Sequence, residues 1–138
     1  MNEDQKFLKV ATEEGNENDL PYNFGAVVVK NGEIIARQHN QTRQLHDPSA
    51  HAEIMALRKA GEILGDHNLD GCILYGSHEP CVMCFSCAAW ANIQRVVYAI
   101  PASEDMNDSY EFEDVSLEEL AGNLTRFKIK PELIRILI

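Results

Sequence analysis

His51, Glu53, Cys81 and Cys84 are the residues whose types and spacing suit a reaction better than a core. One imidazole and two thiols, the thiols separated by two residues, are the borderline-to-soft ligands that bind Zn²⁺ tetrahedrally. Three protein ligands leave the fourth position for water. A structural zinc wants a fourth protein ligand, and none stands at finger-like spacing from these three. Glu53, two residues past the imidazole, is placed to handle the protons of a water that zinc brings to a pKa of about 7. The set reads as a water-activating centre. Cys87 extends the run to C-x-x-C-x-x-C, but the Cys-Pro of iron–sulfur spacing is missing, so it reads as a helix-face thiol. Cys72 falls in an apolar run and is expected in the core. His39, His46, His67 and His78 lie in polar or turn-rich stretches and are expected at the surface, without a metal.

Both ligand sets sit where helices are expected to begin. Pro48, with Asp47 as its cap, opens a helix to about residue 64, whose stripe is Ile54, Leu57, Gly61 and Leu64. Pro80 opens another, to about residue 92. Cys81 and Cys84, three apart, share a helical face. His51 and Glu53, two apart, would diverge on an ideal helix, so the metal must lie over the first turn, where the chain is still entering it. Two helix N-termini aimed at one point create a positive field that favours thiolates. Strands are expected over residues 26–29, 33–37, 72–75 and 95–100, the first two joined by an Asn31-Gly32 hairpin. Right-handed crossovers make the later strands parallel. A first helix is expected over residues 4–14, a polar loop over 38–47 and an acidic loop or short helix over 103–114. A last helix capped by Ser116 ends near Gly122, and a fifth strand is expected at 127–129.

With 138 residues and 45% apolar content, residues 1–138 are expected to form one domain. The formal net charge of −10 opposes phosphate neutralisation, and no run of Lys or Arg relieves it, so nucleic acid is an unfavoured partner. The N-terminus has no basic region leading into an apolar one, and no apolar run approaches the roughly 20 residues of a membrane span. A cytoplasmic location is expected, with no membrane partner and with four cysteines serving as thiols and metal ligands.

His51-Ala52-Glu53 followed by Pro80-Cys81-Val82-Met83-Cys84 matches the H-x-E and P-C-x-x-C signature of zinc deaminases. Over residues 21–110 the chain resembles the cytidine deaminase superfamily (CMP/dCMP deaminase-like), closest to its bacterial guanine deaminase branch. The resemblance implies an α/β fold, a three-layer α/β/α sandwich with a five-stranded mixed sheet. It implies zinc on His51, Cys81 and Cys84, with Glu53 as proton shuttle. Asp47-Pro48-Ser49-Ala50-His51-Ala52-Glu53-Ile54 is similar to the purine-acting branch, shared by guanine deaminases and tRNA adenosine deaminases. Asn40, eleven residues before His51, matches the asparagine that bonds the base in both groups. Phe24 and Ala52 join it as substrate contacts by the same resemblance, although a loop asparagine and a core phenylalanine are the alternatives. Ala89-Trp90-Ala91 resembles a guanine deaminase stretch. Asn107-Asp108-Ser109-Tyr110 resembles one whose aspartate holds the amidine edge of guanine, a task suited to a carboxylate because it accepts from two adjacent N–H donors.

The expected reaction is therefore guanine plus water to xanthine plus ammonia, on a free nucleobase. Deamination of tRNA adenosine, of cytosine or of another aminated heterocycle remains open. A zinc-stabilised binding module without catalysis would not need Glu53. The aromatic C-terminal segment with which guanine deaminases of this type close a partner's pocket is missing from 133–138, which is apolar instead. The resemblance also implies an oligomer, and a homodimer is expected.

Overall fold

Asn31 and Gly32 both take positive φ, 53° and 77°, and fold β1 (Gly25–Lys30) back on β2 (Glu33–His39) as the Asn-Gly pair requires. The structure is a computed structural model that describes residues 1–104 and 116–138. β3 (Cys72–His78) pairs antiparallel with the other side of β1, while β4 (Arg95–Ile100) and β5 (Glu132–Arg135) add in parallel. The five-stranded mixed sheet runs β2-β1-β3-β4-β5.

Among the described residues five α-helices accompany it: α1 (Glu3–Gly15), α2 (Thr42–Leu45), α3 (Ala52–Leu64), α4 (Val82–Trp90) and α5 (Leu117–Gly122). Side chains alternate across each strand, so the sheet feeds two cores. Val27, Val29, Tyr75 and Val97 meet Phe7 and Leu8 of α1 on one face. Val28, Leu74 and Val96 meet Ala56, Leu57 and Ala60 of α3, with Phe85, Ala88 and Ala89 of α4, on the other. These layers make the expected α/β/α sandwich. An ion pair locks α1 onto the sheet: Arg95 Nη2 donates to Asp4 Oδ2 at 2.9 Å, and Tyr75 OH donates to Asp4 Oδ1 at 2.6 Å. Among the described residues no helix is long and apolar enough to cross a membrane.

Three boundaries differ from the sequence expectation. The helix expected from Pro48 begins at Ala52, because the Asp47 side chain closes a tight turn instead, accepting from Ser49 N at 2.9 Å and Ser49 Oγ at 2.7 Å. The loop expected over 38–47 contains α2. The fifth strand lies at Glu132–Arg135 and not at 127–129. Phe127 packs its ring on Trp90 at 4.9 Å, on the α4 side alone. Leu133 and Ile134 instead serve opposite faces, as a strand inserted between two cores must. The apolar terminus is thus partly internal, with Leu137 and Ile138 exposed. The acidic stretch expected over 103–114 lies mostly outside the described residues.

Candidate metal centre and active site

The carboxyl ends of β3 and β4 and the first turns of α3 and α4 meet at one end of the sheet, where open α/β sheets bind ligands. His51 is the N-cap of α3 and Cys81 the N-cap of α4, both with extended backbone. This is why His51 and Glu53 converge despite their spacing: the chain has not begun to turn at His51. Cys84 follows one turn into α4 and is fully buried. The two ligands His51 and Cys81 each stand one residue before a helix, later in the chain than the expected starts at Pro48 and Pro80.

The donor atoms form a triangle. His51 Nδ1 lies 3.7 Å from Cys81 Sγ and 3.5 Å from Cys84 Sγ, and the two sulfurs are 3.7 Å apart. A tetrahedral Zn²⁺ with ordinary bond lengths would set its sulfurs roughly 3.8 Å apart, and sulfur roughly 3.6 Å from nitrogen. The triangle therefore fits zinc, with Nδ1 as the imidazole donor. These three are the group able to hold a metal among the described residues.

Electrostatics agree with that use. Cys81 is drawn down to about 4, first by its hydrogen bond with Cys84 and also by its contact with His51. Cys84 moves up, first through its hydrogen bond with Cys81 and then because it is buried. His51 is raised, chiefly by its hydrogen bond with Cys81. Glu53 is buried and pushed up to about 7, by loss of solvent first and by the negative Cys81 second. Glu53 lies against Gly76 of β3, where a Cβ would stand in ordinary contact with Glu53 Cγ at 3.9 Å.

The expected substrate contacts are placed unevenly. Phe24 precedes β1 and packs on the α3/α4 side of the sheet; its carbonyl accepts from Asn40 N at 3.1 Å. Asn40 is buried, and its Oδ1 accepts from Thr42 N at 3.1 Å and Thr42 Oγ1 at 2.8 Å. That fixes its amide orientation and starts α2. Gln41 N then donates to Ala50 O at 2.9 Å, which ties this segment to the entry of α3. Ala52 is fully buried in the first turn of α3. Asp108 lies outside the described residues.

Sequence reasoning treated His78 as an ordinary surface histidine, but it packs on Phe24. The ring centroids are 4.5 Å apart with planes at 63°. Its neighbour Ser77 is buried; Ser77 Oγ accepts from Gly25 N at 3.0 Å and sits 2.8 Å from His78 Nδ1. A small hydroxyl residue beside Gly76 at a strand end was the only signal. Glu79 of the ligand motif also has work away from the metal: its Oε1 accepts from Ala102 N at 3.2 Å. His39 pairs with Glu14 at 2.6 Å, and His67 is exposed.

Fold and centre together define a zinc hydrolase-type site on a three-layer α/β sandwich. The family model for the cytidine and deoxycytidylate deaminase zinc-binding region matches residues 1–100, and the chain belongs to that family. Zinc is accordingly the metal of His51, Cys81 and Cys84. A guanine deaminase of Bacillus subtilis is 45% identical over 96 residues, covering 67% of this chain and 62% of that protein. A tRNA-specific adenosine deaminase of Aquifex aeolicus is 40% identical over 97 residues, covering 67% and 63%. The chain thus matches less than two thirds of the length of these two relatives. Among solved structures, a tRNA:A34 deaminase superposes with a TM-score of 0.78 at 29% identity, covering 98% of this chain and all of that one. A Bacillus subtilis guanine deaminase superposes at 0.71 with 36% identity, covering 93% and 94%.

Proposed function

We propose that this chain is a hydrolytic deaminase of a free nucleobase, with guanine as its substrate and xanthine and ammonia as products. The observation that carries the reading is a buried, unligated Glu53 beside a ligand triangle of zinc dimensions. A purely structural metal has no use for it. Zinc supplies Lewis acidity that makes water a nucleophile near neutral pH. Glu53 takes a proton from that water and delivers it to a ring nitrogen of the base. As the carbon–nitrogen bond breaks, Glu53 takes the remaining proton of the added hydroxyl and passes it to the departing amine, so an amino group and water become an oxo group and ammonia. A carboxyl group near 7 suits both halves of the exchange.

Asn40 has its carbonyl committed to Thr42, which leaves its amide nitrogen to donate to the base. Phe24 and the first turn of α3, with Ala52, line the base, and Asp108 accepts from the amidine edge. The guanine deaminase of Bacillus subtilis and the net charge of −10 favour a free base. The comparable similarity to tRNA-specific adenosine deaminases supports a second reading, deamination of adenosine in an anticodon loop. We further propose that the protein is a homodimer. An open groove between α3 and α4, lined by Ile54, Leu57, Met83, Cys87 and Ala91, offers an apolar face for a second copy.

Ammonia release from guanine, cytosine, adenine, aminotriazines and an anticodon stem-loop decides between the substrates. Guanine is expected to turn over fastest. Turnover confined to the stem-loop would replace the first reading with the second.

A further inference from the structure

Three side chains outside the metal centre are held together at the same end of the sheet: Phe24, Ser77 and His78. Alternation along β3 puts Gly76 and His78 on one face and Ser77 on the other. The Gly76 face is the one against Glu53, so His78 stands two residues beyond the position that faces the carboxylate and three before the ligand Cys81. A hydroxyl and an aromatic ring hold its imidazole. The Ser77 hydroxyl, itself anchored by Gly25 N, lies 2.8 Å from Nδ1, and the Phe24 ring packs against the imidazole at 4.5 Å in an edge-on arrangement. Phe24 has its own backbone tied to Asn40. Ring, serine and asparagine therefore form one connected set, which joins the start of β1, the end of β2 and the end of β3.

From this arrangement we propose that His78 is a positioning residue for specificity: it holds Phe24 as the flat wall of the substrate pocket and so selects heterocycles by ring area. The proposal rests on the deaminase reading, with Phe24 beside the base. An aromatic ring packed edge-on against a second ring has little freedom to tilt, and a fixed wall rewards a bicyclic base more than a monocyclic one, because more ring face meets it. Aromatic pair energies translate to roughly 2- to 13-fold in binding. His78→Leu, close in volume, should raise KM for guanine by about that factor with kcat nearly unchanged, and should alter KM for cytosine much less. His78→Phe should restore most of the loss because it keeps a ring against Phe24. His78→Gln, polar but without a ring, should not.

The test measures kcat and KM for both bases on the zinc-loaded wild type and these three variants. It also measures guanine binding by calorimetry in a Glu53→Gln background, and zinc content and Tm throughout. An equal change on both bases, a fall in kcat alone, no change, or rescue by Gln but not by Phe overturns the proposal. A ligand-free drop in Tm that accounts for every loss does so too, since it marks a merely structural role. A wild type that turns over no base sinks the deaminase reading itself and this inference with it. A wild type that turns over bases, with variants that leave the guanine-to-cytosine ratio intact, sinks this inference alone.

Discussion

Among the described residues Glu53 completes no salt bridge and stands outside the ligand triangle, yet it is buried where a carboxylate is costly. Such a group persists when it moves protons. Glu53→Gln keeps size and hydrogen bonding but cannot take a proton, so zinc content should stay at one per chain while kcat falls by about 10²–10⁴. Ammonia release together with metal analysis checks this; near-full activity would remove Glu53 from the reaction. At this scale the sequence was most readable. His51, Glu53, Cys81 and Cys84 announce themselves because metal chemistry permits few residue types at few spacings. His78 did not, because its place depends on a ring contact with Phe24, which precedes β1 and lies more than fifty residues earlier. No local pattern encodes that meeting.

Helices and strands carry these residues into position, and their junctions are tight. A Cβ on Gly25 would stand 2.0 Å from Ala11 O and 2.5 Å from Gly15 N, both backbone atoms of α1 that cannot swing aside. Gly25→Ala should therefore cost about 3 kcal/mol or more, and should displace the neighbouring Phe24. Denaturant melts would expose it, and a loss under 1 kcal/mol would mean that α1 can lift from the sheet cheaply. The Asp4 anchor on the same helix gives a milder, pH-dependent effect. Asp4 is held below its ordinary 3.8, first by the hydrogen bond from Arg95 and then by that from Tyr75. Its contribution is fully present above the unfolded pKa and is lost as pH falls through the lower folded value. Asp4→Asn should cost about 1–2 kcal/mol at neutral pH, and the two proteins should converge well below pH 3.8, where both carry an uncharged group. A gap that persists undiminished in acid would assign the cost to packing. Element types were legible from periodicity and the Asn-Gly turn, whereas their ends were not. Asp47 is as good a cap in sequence as any, but its side chain is spent on Ser49, and β5 is chosen over 127–129 by having two cores to fill.

The whole molecule is held by two cores that need no metal, and zinc adds a clasp between the starts of α3 and α4. Removing it should lower the melting temperature without unfolding the chain at room temperature, unlike a small finger whose fold depends on its ion. A ligand that binds only the folded state at a free concentration 100 times its Kd adds about 2.7 kcal/mol, so the shift should grow with free zinc. It should also depend on pH in a fixed direction. Cys84 is raised, mainly by its hydrogen bond with Cys81, and His51 is raised by its own bond with Cys81, so both tend to hold protons in the metal-free chain. Those protons must leave before sulfur and nitrogen can bind the ion. Acid therefore competes with zinc, and the zinc-dependent part of stability should shrink as pH falls from 8 to 5, while the Asp4 anchor, which titrates lower still, stays intact over that range. Thermal melts with buffered zinc and with a strong chelator, repeated across that range, separate the two. Equal melting temperatures with and without chelator at pH 8 would mean that the triangle of His51, Cys81 and Cys84 holds no metal in solution, and the proposed chemistry would lose its centre.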